Sequence, residues 1–177
     1  MAIETLFPHR TLLALVAAAA LAGCSGQNGL FGNSSTAAGG FGQNGGVTSG
    51  SIDDPTSPAY FQQAVGDRVL FEVDQSTLTD AARATLTEQA RWLTENGAYT
   101  AVVEGHADEQ GTREYNLALG ARRASAVRDF LVDRGVADNR LSTVTYGKER
   151  PLEICSEESC YAKNRRGVTV LSAGAGS

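Results

Sequence analysis

The fold the sequence predicts is an α+β two-layer sandwich, with helices packed on one face of a small mixed sheet. Three observations predict it. Short β-rich runs alternate with two long helical periodicities. Their order is β-α-β-α-β-(α)-β, which suits a sheet covered on one side. The second strand run is apolar on both faces, which argues for an interior place in that sheet.

The elements follow in order. Val69-Leu70-Phe71-Glu72-Val73 is a short β-rich run. Leu78, Ala82, Leu86, Ala90 and Leu93 then recur every three or four residues, the period of a helix. Thr79 is placed to cap that helix, Asp80 favours its positive end, and Asn96-Gly97 closes it. Ala101-Val102-Val103 is the second strand. Leu117, Ala121, Ala124, Val127 and Leu131 mark the apolar stripe of a second long helix, closed by Gly135. Leu141 to Tyr146 is the third strand and ends at Gly147. A short helix over Glu157 to Asn164 and a strand at Val168-Thr169-Val170-Leu171 complete the domain.

At 177 residues the chain holds one domain and something more. Residues 1–23 read as an export leader. His9 and Arg10 precede an apolar run of about 11 residues, Leu12 to Ala22, too short for a bilayer core of ~30 Å. The run ends Leu21-Ala22-Gly23-Cys24, with small residues where a signal peptidase needs little side-chain volume. Residues 24–58 are dominated by Gly, Ser, Asn and Gln and read as a flexible tether, with too few apolar groups to offset the entropy of ordering. Pulled taut it reaches on the order of 110 Å. Leu30, Phe31 and Phe41 stand isolated in it and receive no role. Residues 59–173 form the domain. The formal charge of -5 is the same after the leader, because Glu4 and Arg10 cancel. An acidic chain without a basic block is a poor partner for nucleic acid.

The candidate site lies between Glu104 and Val127. Gly105-His106-Ala107-Asp108-Glu109-Gln110-Gly111 leaves the second strand and turns into the second long helix, with Gly105, His106 and Gly111 shaping the loop. On that helix Asn116, Gly120 and Arg123 share one stripe, being four and three residues apart. Arg123 therefore sits beside the buried face, whereas Arg122 and Arg128 belong to the solvated side. His106, Asp108 and Glu109 do not make a zinc site, since the only other histidine is His9 in the leader. No activated nucleophile accompanies them, so neither catalysis nor a cofactor is expected. Cys155 and Cys160, four residues between them, point to a small disulfide loop over a metal site in an exported chain.

These residues closely resemble the signature of the OmpA-like peptidoglycan-binding domain, and above all its lipoprotein branch, over about Val69 to Leu171. The family pattern G-H-[TA]-D, N-x-x-L and x-R-A falls on Gly105 to Asp108, Asn116 to Leu119 and Arg123. The F-x-x-D element falls on Phe71 to Asp74, and N-R-R on Asn164-Arg165-Arg166. The resemblance implies that Asp108 and Arg123 grip the ammonium and carboxylate of meso-diaminopimelate in peptidoglycan stem peptides. A forked guanidinium suits the carboxylate. Asp74, Asn116 and Leu119 are expected beside them. For Arg165 and Arg166, ligand contact and structural pairing both stay open. The cysteine-bearing loop departs from the pattern and leaves contacts near Lys163 undecided.

Leu-Ala-Gly-Cys resembles the bacterial lipobox, which implies lipidation of Cys24. Ser25, with no aspartate after the cysteine, implies the outer membrane, facing the periplasm. The resemblance further implies a TolB-like partner and other Tol components, and a role in outer-membrane integrity and constriction at division within the Tol–Pal system. Two alternatives stand beside it: an OmpA-like lipoprotein of a secretion or adhesion system, and a cell-wall hydrolase using the same pocket.

Overall fold

The computed structural model describes residues 50–173. The leader, Cys24, Leu30, Phe31 and Phe41 lie outside the described residues. Within them the elements are α1 (Pro58–Tyr60), which continues as a π-helical turn (Phe61–Gly66), then β1 (Arg68–Leu70) and α2 (Asp80–Glu95). β2 (Tyr99–His106), α3 (Arg113–Asp133), β3 (Leu141–Gly147), α4 (Glu158–Asn164) and β4 (Arg166–Ala173) follow. The four strands form one mixed sheet in the order β1-β4-β2-β3. β2 is interior, parallel to β3 and antiparallel to β4, and Val103 pairs with both Thr143 and Thr169.

α2 and α3 pack on one face of the sheet and against each other. On β2 the residues facing them, Ala101 and Val103, are buried and meet Leu86, Leu93, Val127 and Leu131 in a single core. α2 begins where the Thr79 hydroxyl accepts from Ala82 N at 3.1 Å, and it ends at Asn96. α3 begins in the same way, with Thr112 Oγ1 accepting from Tyr115 N. Gly135, at φ 99°, turns the chain out of it.

Four expectations are corrected. β1 stops at Leu70 instead of Val73. The next residues turn away because the carbonyls of Glu72 and Gln75 point at Arg123, and Asp74 takes a left-handed φ of 59°. The buried stripe of α3 is rotated from the one expected: Leu117 is half-buried and Ala121 exposed, while Asn116, Leu119, Gly120 and Arg123 face inward. Polar residues and a glycine occupy the inner side of the helix's first half, so apolar spacing alone misplaces that side. Like His106, which ends β2, Gly105 belongs to that strand rather than to the loop. A Cβ there would stand 1.9 Å from the Gly120 carbonyl oxygen, so its absence lets strand and helix touch backbone to backbone. Finally, the last residues of the expected tether are pinned to the domain. Trp92 Nε1 donates to Pro55 O at 2.7 Å, Tyr99 OH donates to Thr56 O, and Ser57 and Pro58 are buried.

Candidate functional site

A cavity of about 330 Å³ opens between the turn after β1, the loop after β2 and the first turns of α3. Val73 and Asp74 form one wall. Asp108, Gln110 and Gly111 form another, and Tyr115, Asn116 and Leu119 line the helix side. Each wall follows from local sequence. Gly111, at φ 90°, lets the loop fold back over α3, and Asn116 Nδ2 fastens it by donating to Gln110 O at 2.8 Å. Lys148 Nζ donates to Gly111 O at 2.7 Å from the other side. The Tyr115 hydroxyl donates to Asp74 across the mouth.

Asp74, Asp108, Asn116 and Leu119 thus meet at one cavity, as the motifs led one to expect. The three arginines do not line it. Arg123 is 0% exposed and lies beneath. Its Nε donates to Gln75 O at 2.8 Å, Nη1 to His106 O at 2.8 Å and Nη2 to Glu72 O at 3.1 Å. Its guanidinium also covers the Phe71 ring at 5.2 Å. Burial pulls the Arg123 pKa down to about 10, which leaves it charged at neutral pH, and Asp108 nearby opposes that fall. The expected clasp, with Asp108 and Arg123 opposed across a shared cavity, is therefore corrected. Arg123 ties the β1 turn to the end of β2, holding the two walls at a set distance.

The direct partner of Asp108 is Arg165. Arg165 Nη1 donates to Asp108 Oδ2 at 3.2 Å, and Asp108 Oδ1 accepts from Gln110 N at 3.2 Å. Arg165 Nε also donates to Phe71 O. Arg166 donates to the carbonyls of Asn164 and Arg150, so it braces the entry to β4. Lys163 pairs with Glu153, and Cys155 is bonded to Cys160. In this structure Arg165 is engaged by two carboxylates and a backbone carbonyl, and Arg166 by backbone carbonyls. Tyr115 was missed by the motif reading. The signal available was an aromatic residue in a capped first turn, one position before Asn116 and off the apolar stripe.

His106 is buried behind the loop, 3.3 Å from Glu104 through Nε2 and tilted against Tyr146. Nδ1 has no partner among the described residues. Burial, then the charges of Arg166 and Arg150, push its pKa down to about 4. The folded protein thus binds fewer protons than the unfolded chain between pH 6.5 and 4. Stability should fall by up to about 3 kcal/mol as pH drops through that window. Burial raises the Glu104 pKa, and its contribution has the opposite sign. Urea midpoints of the wild type and His106→Gln across pH 7 to 4 isolate the histidine. A pH dependence identical in the two proteins would refute the assignment.

Residues 70–165, which include Asp74, Asp108, Asn116, Leu119, Arg123 and Arg165, match the OmpA family. The peptidoglycan-associated lipoprotein of Mesorhizobium japonicum is 49% identical over 99% of this chain and 98% of its own length. The chain belongs to the OmpA family. Within it, the chain is also similar to the peptidoglycan-associated lipoprotein of Rhizobium meliloti, at 49% identity over 98% of this chain and 93% of that protein. The crystal structure of the Burkholderia pseudomallei peptidoglycan-associated lipoprotein superposes with a TM-score of 0.61 at 36% identity, covering 68% of this chain and 98% of that one. The mixed sheet with helices on one face is thus the OmpA-like fold. Its cavity falls within the stretch that the family model matches.

Proposed function

We infer that this chain is a lipoprotein that holds peptidoglycan non-covalently through the meso-diaminopimelate of its stem peptides. One observation carries the reading. Asp74 and Asp108 both line one small cavity, and among the described residues no cationic side chain lines it. Two carboxylates facing one partly enclosed space favour an ammonium group. The ligand's carboxylate, on the same carbon, sits in the field of the buried Arg123 beneath the floor. The names of the relatives support peptidoglycan association. With them goes the wider proposal: residues 1–23 are removed, Cys24 is acylated, and residues from 24 tether the domain to the outer membrane on its periplasmic side. A TolB-like protein and other Tol components are the proposed partners, in keeping the outer membrane attached and constricting it at division.

The test is sedimentation of the full chain with purified sacculi, in competition with two soluble stem tripeptides. One ends in meso-diaminopimelate and the other in lysine, which keeps the ammonium and lacks its neighbouring carboxylate. The first should displace the protein at a concentration at least roughly tenfold lower. Equal displacement by both would remove diaminopimelate from the proposal, and failure of the protein to sediment would remove peptidoglycan.

A further inference from the structure

We propose that Glu158, held in place by the Cys155–Cys160 disulfide, is a positioning residue that keeps the charge of Asp108 available to the ligand; this rests on the peptidoglycan reading of the cavity. The observation is how Arg165 divides its donors. Its fork meets Glu158 twice, Nη2 to Oε1 at 2.5 Å and Nη1 to Oε2 at 3.4 Å. Asp108 receives a single bond, from Nη1 at 3.2 Å. Nη1 is shared between the two carboxylates, and one guanidinium between two carboxylates leaves a net negative charge, so Arg165 offsets Asp108 only in part while Glu158 is present. Asp108 therefore faces the cavity still negative, although a buried arginine stands behind it.

Glu158 is itself poorly anchored by its surroundings. Its side chain is 64% exposed, and it belongs to the first turn of α4, a helix of seven residues whose N-cap, Glu157, makes no side-chain cap bond. A helix this short is not stable by itself. The disulfide encloses that first turn, with Glu158 between its two cysteines. The bond thus restrains the backbone that presents Glu158 to Arg165. Asn164, at the other end of α4, accepts from the backbone N–H groups of Leu152 and Glu153 and so fixes the start of the same loop. Without the Glu158 carboxylate, and with Nε still held by the Phe71 carbonyl, both Nη atoms of Arg165 are left to Asp108 alone. That would occupy Oδ2 bidentately with Oδ1 and lower the pull on an incoming ammonium.

The experiment is calorimetric titration of the full chain with the tripeptide L-Ala-D-Glu-meso-diaminopimelate. Glu158→Gln should weaken binding about five- to tenfold with an unchanged urea midpoint, and Glu158→Asp should recover part of the loss. Cys155→Ala/Cys160→Ala should weaken it about threefold. Added to Glu158→Gln, the cysteine pair should produce no further loss, because both act through one contact. Asp108→Ala is the control. If it loses binding while Glu158→Gln keeps wild-type affinity, or if the cysteine and glutamate losses simply multiply, the positioning role is wrong and the site stands. If Asp108→Ala itself binds like the wild type, the site reading falls, and this inference with it.

Discussion

Asp108→Asn should reduce the affinity for a diaminopimelate stem peptide at least roughly 30-fold while the protein stays folded. The magnitude follows from losing one member of a partly buried charge pair, typically 2–5 kcal/mol. Asparagine keeps the size of the side chain and an oxygen for Gln110 N, whose bond to Asp108 shapes the loop. Arg165 loses one partner but retains Glu158 and the Phe71 carbonyl, so the cost to stability should be about 1–2 kcal/mol. Calorimetric titration with the tripeptide measures the first quantity and a urea midpoint the second. Wild-type affinity in the asparagine variant would show that the ligand's ammonium is met elsewhere. Asp74 is the obvious place to look next, since it lines the same cavity.

The second large effect is on stability. Arg123→Leu should destabilise the protein by about 3–5 kcal/mol, enough to unfold much of a marginally stable domain. Three backbone carbonyls lose their donor together, that of His106 in a buried bond and those of Glu72 and Gln75 in part-buried ones. A buried acceptor left unpaired costs roughly 1–3 kcal/mol, and the part-buried pair add less each. Arg123→Lys should recover little. A single ammonium cannot span three acceptors drawn from the β1 turn and the end of β2. Urea midpoints of both variants are the measurement. A leucine variant with the wild-type midpoint and no affinity for the tripeptide would return Arg123 to the role of a direct ligand contact. Loss of peptidoglycan binding in an Arg123 variant is uninformative until its fold has been measured, whereas Asp108→Asn is informative at once.

How far the sequence reads through to the site varies residue by residue. Asp74, Asp108, Asn116 and Leu119 were legible through motifs that resemble those of the OmpA-like family, each a short run of neighbouring residues, and all four reach the same cavity. Thr79 was legible as a cap because capping involves a hydroxyl and an amide three residues away. Tyr115 carried only the local signal of an aromatic residue in a capped first turn, since its partner Asp74 is 41 residues distant. Arg165 and Arg166 could be placed near the site by motif, but contact and bracing look alike until their acceptors are known.

Strand and helix periods, caps, turn glycines and the order of elements are properties of neighbouring residues, so they pointed to the α+β sandwich, while the address of its cavity came from the motifs that resemble the OmpA-like family. Which side of α3 is buried, and what Arg123 does there, depended on carbonyls 48 and 51 residues away. Backbone acceptors exist at every position and carry no side-chain signature. Only the folded arrangement decides which of them a buried guanidinium meets.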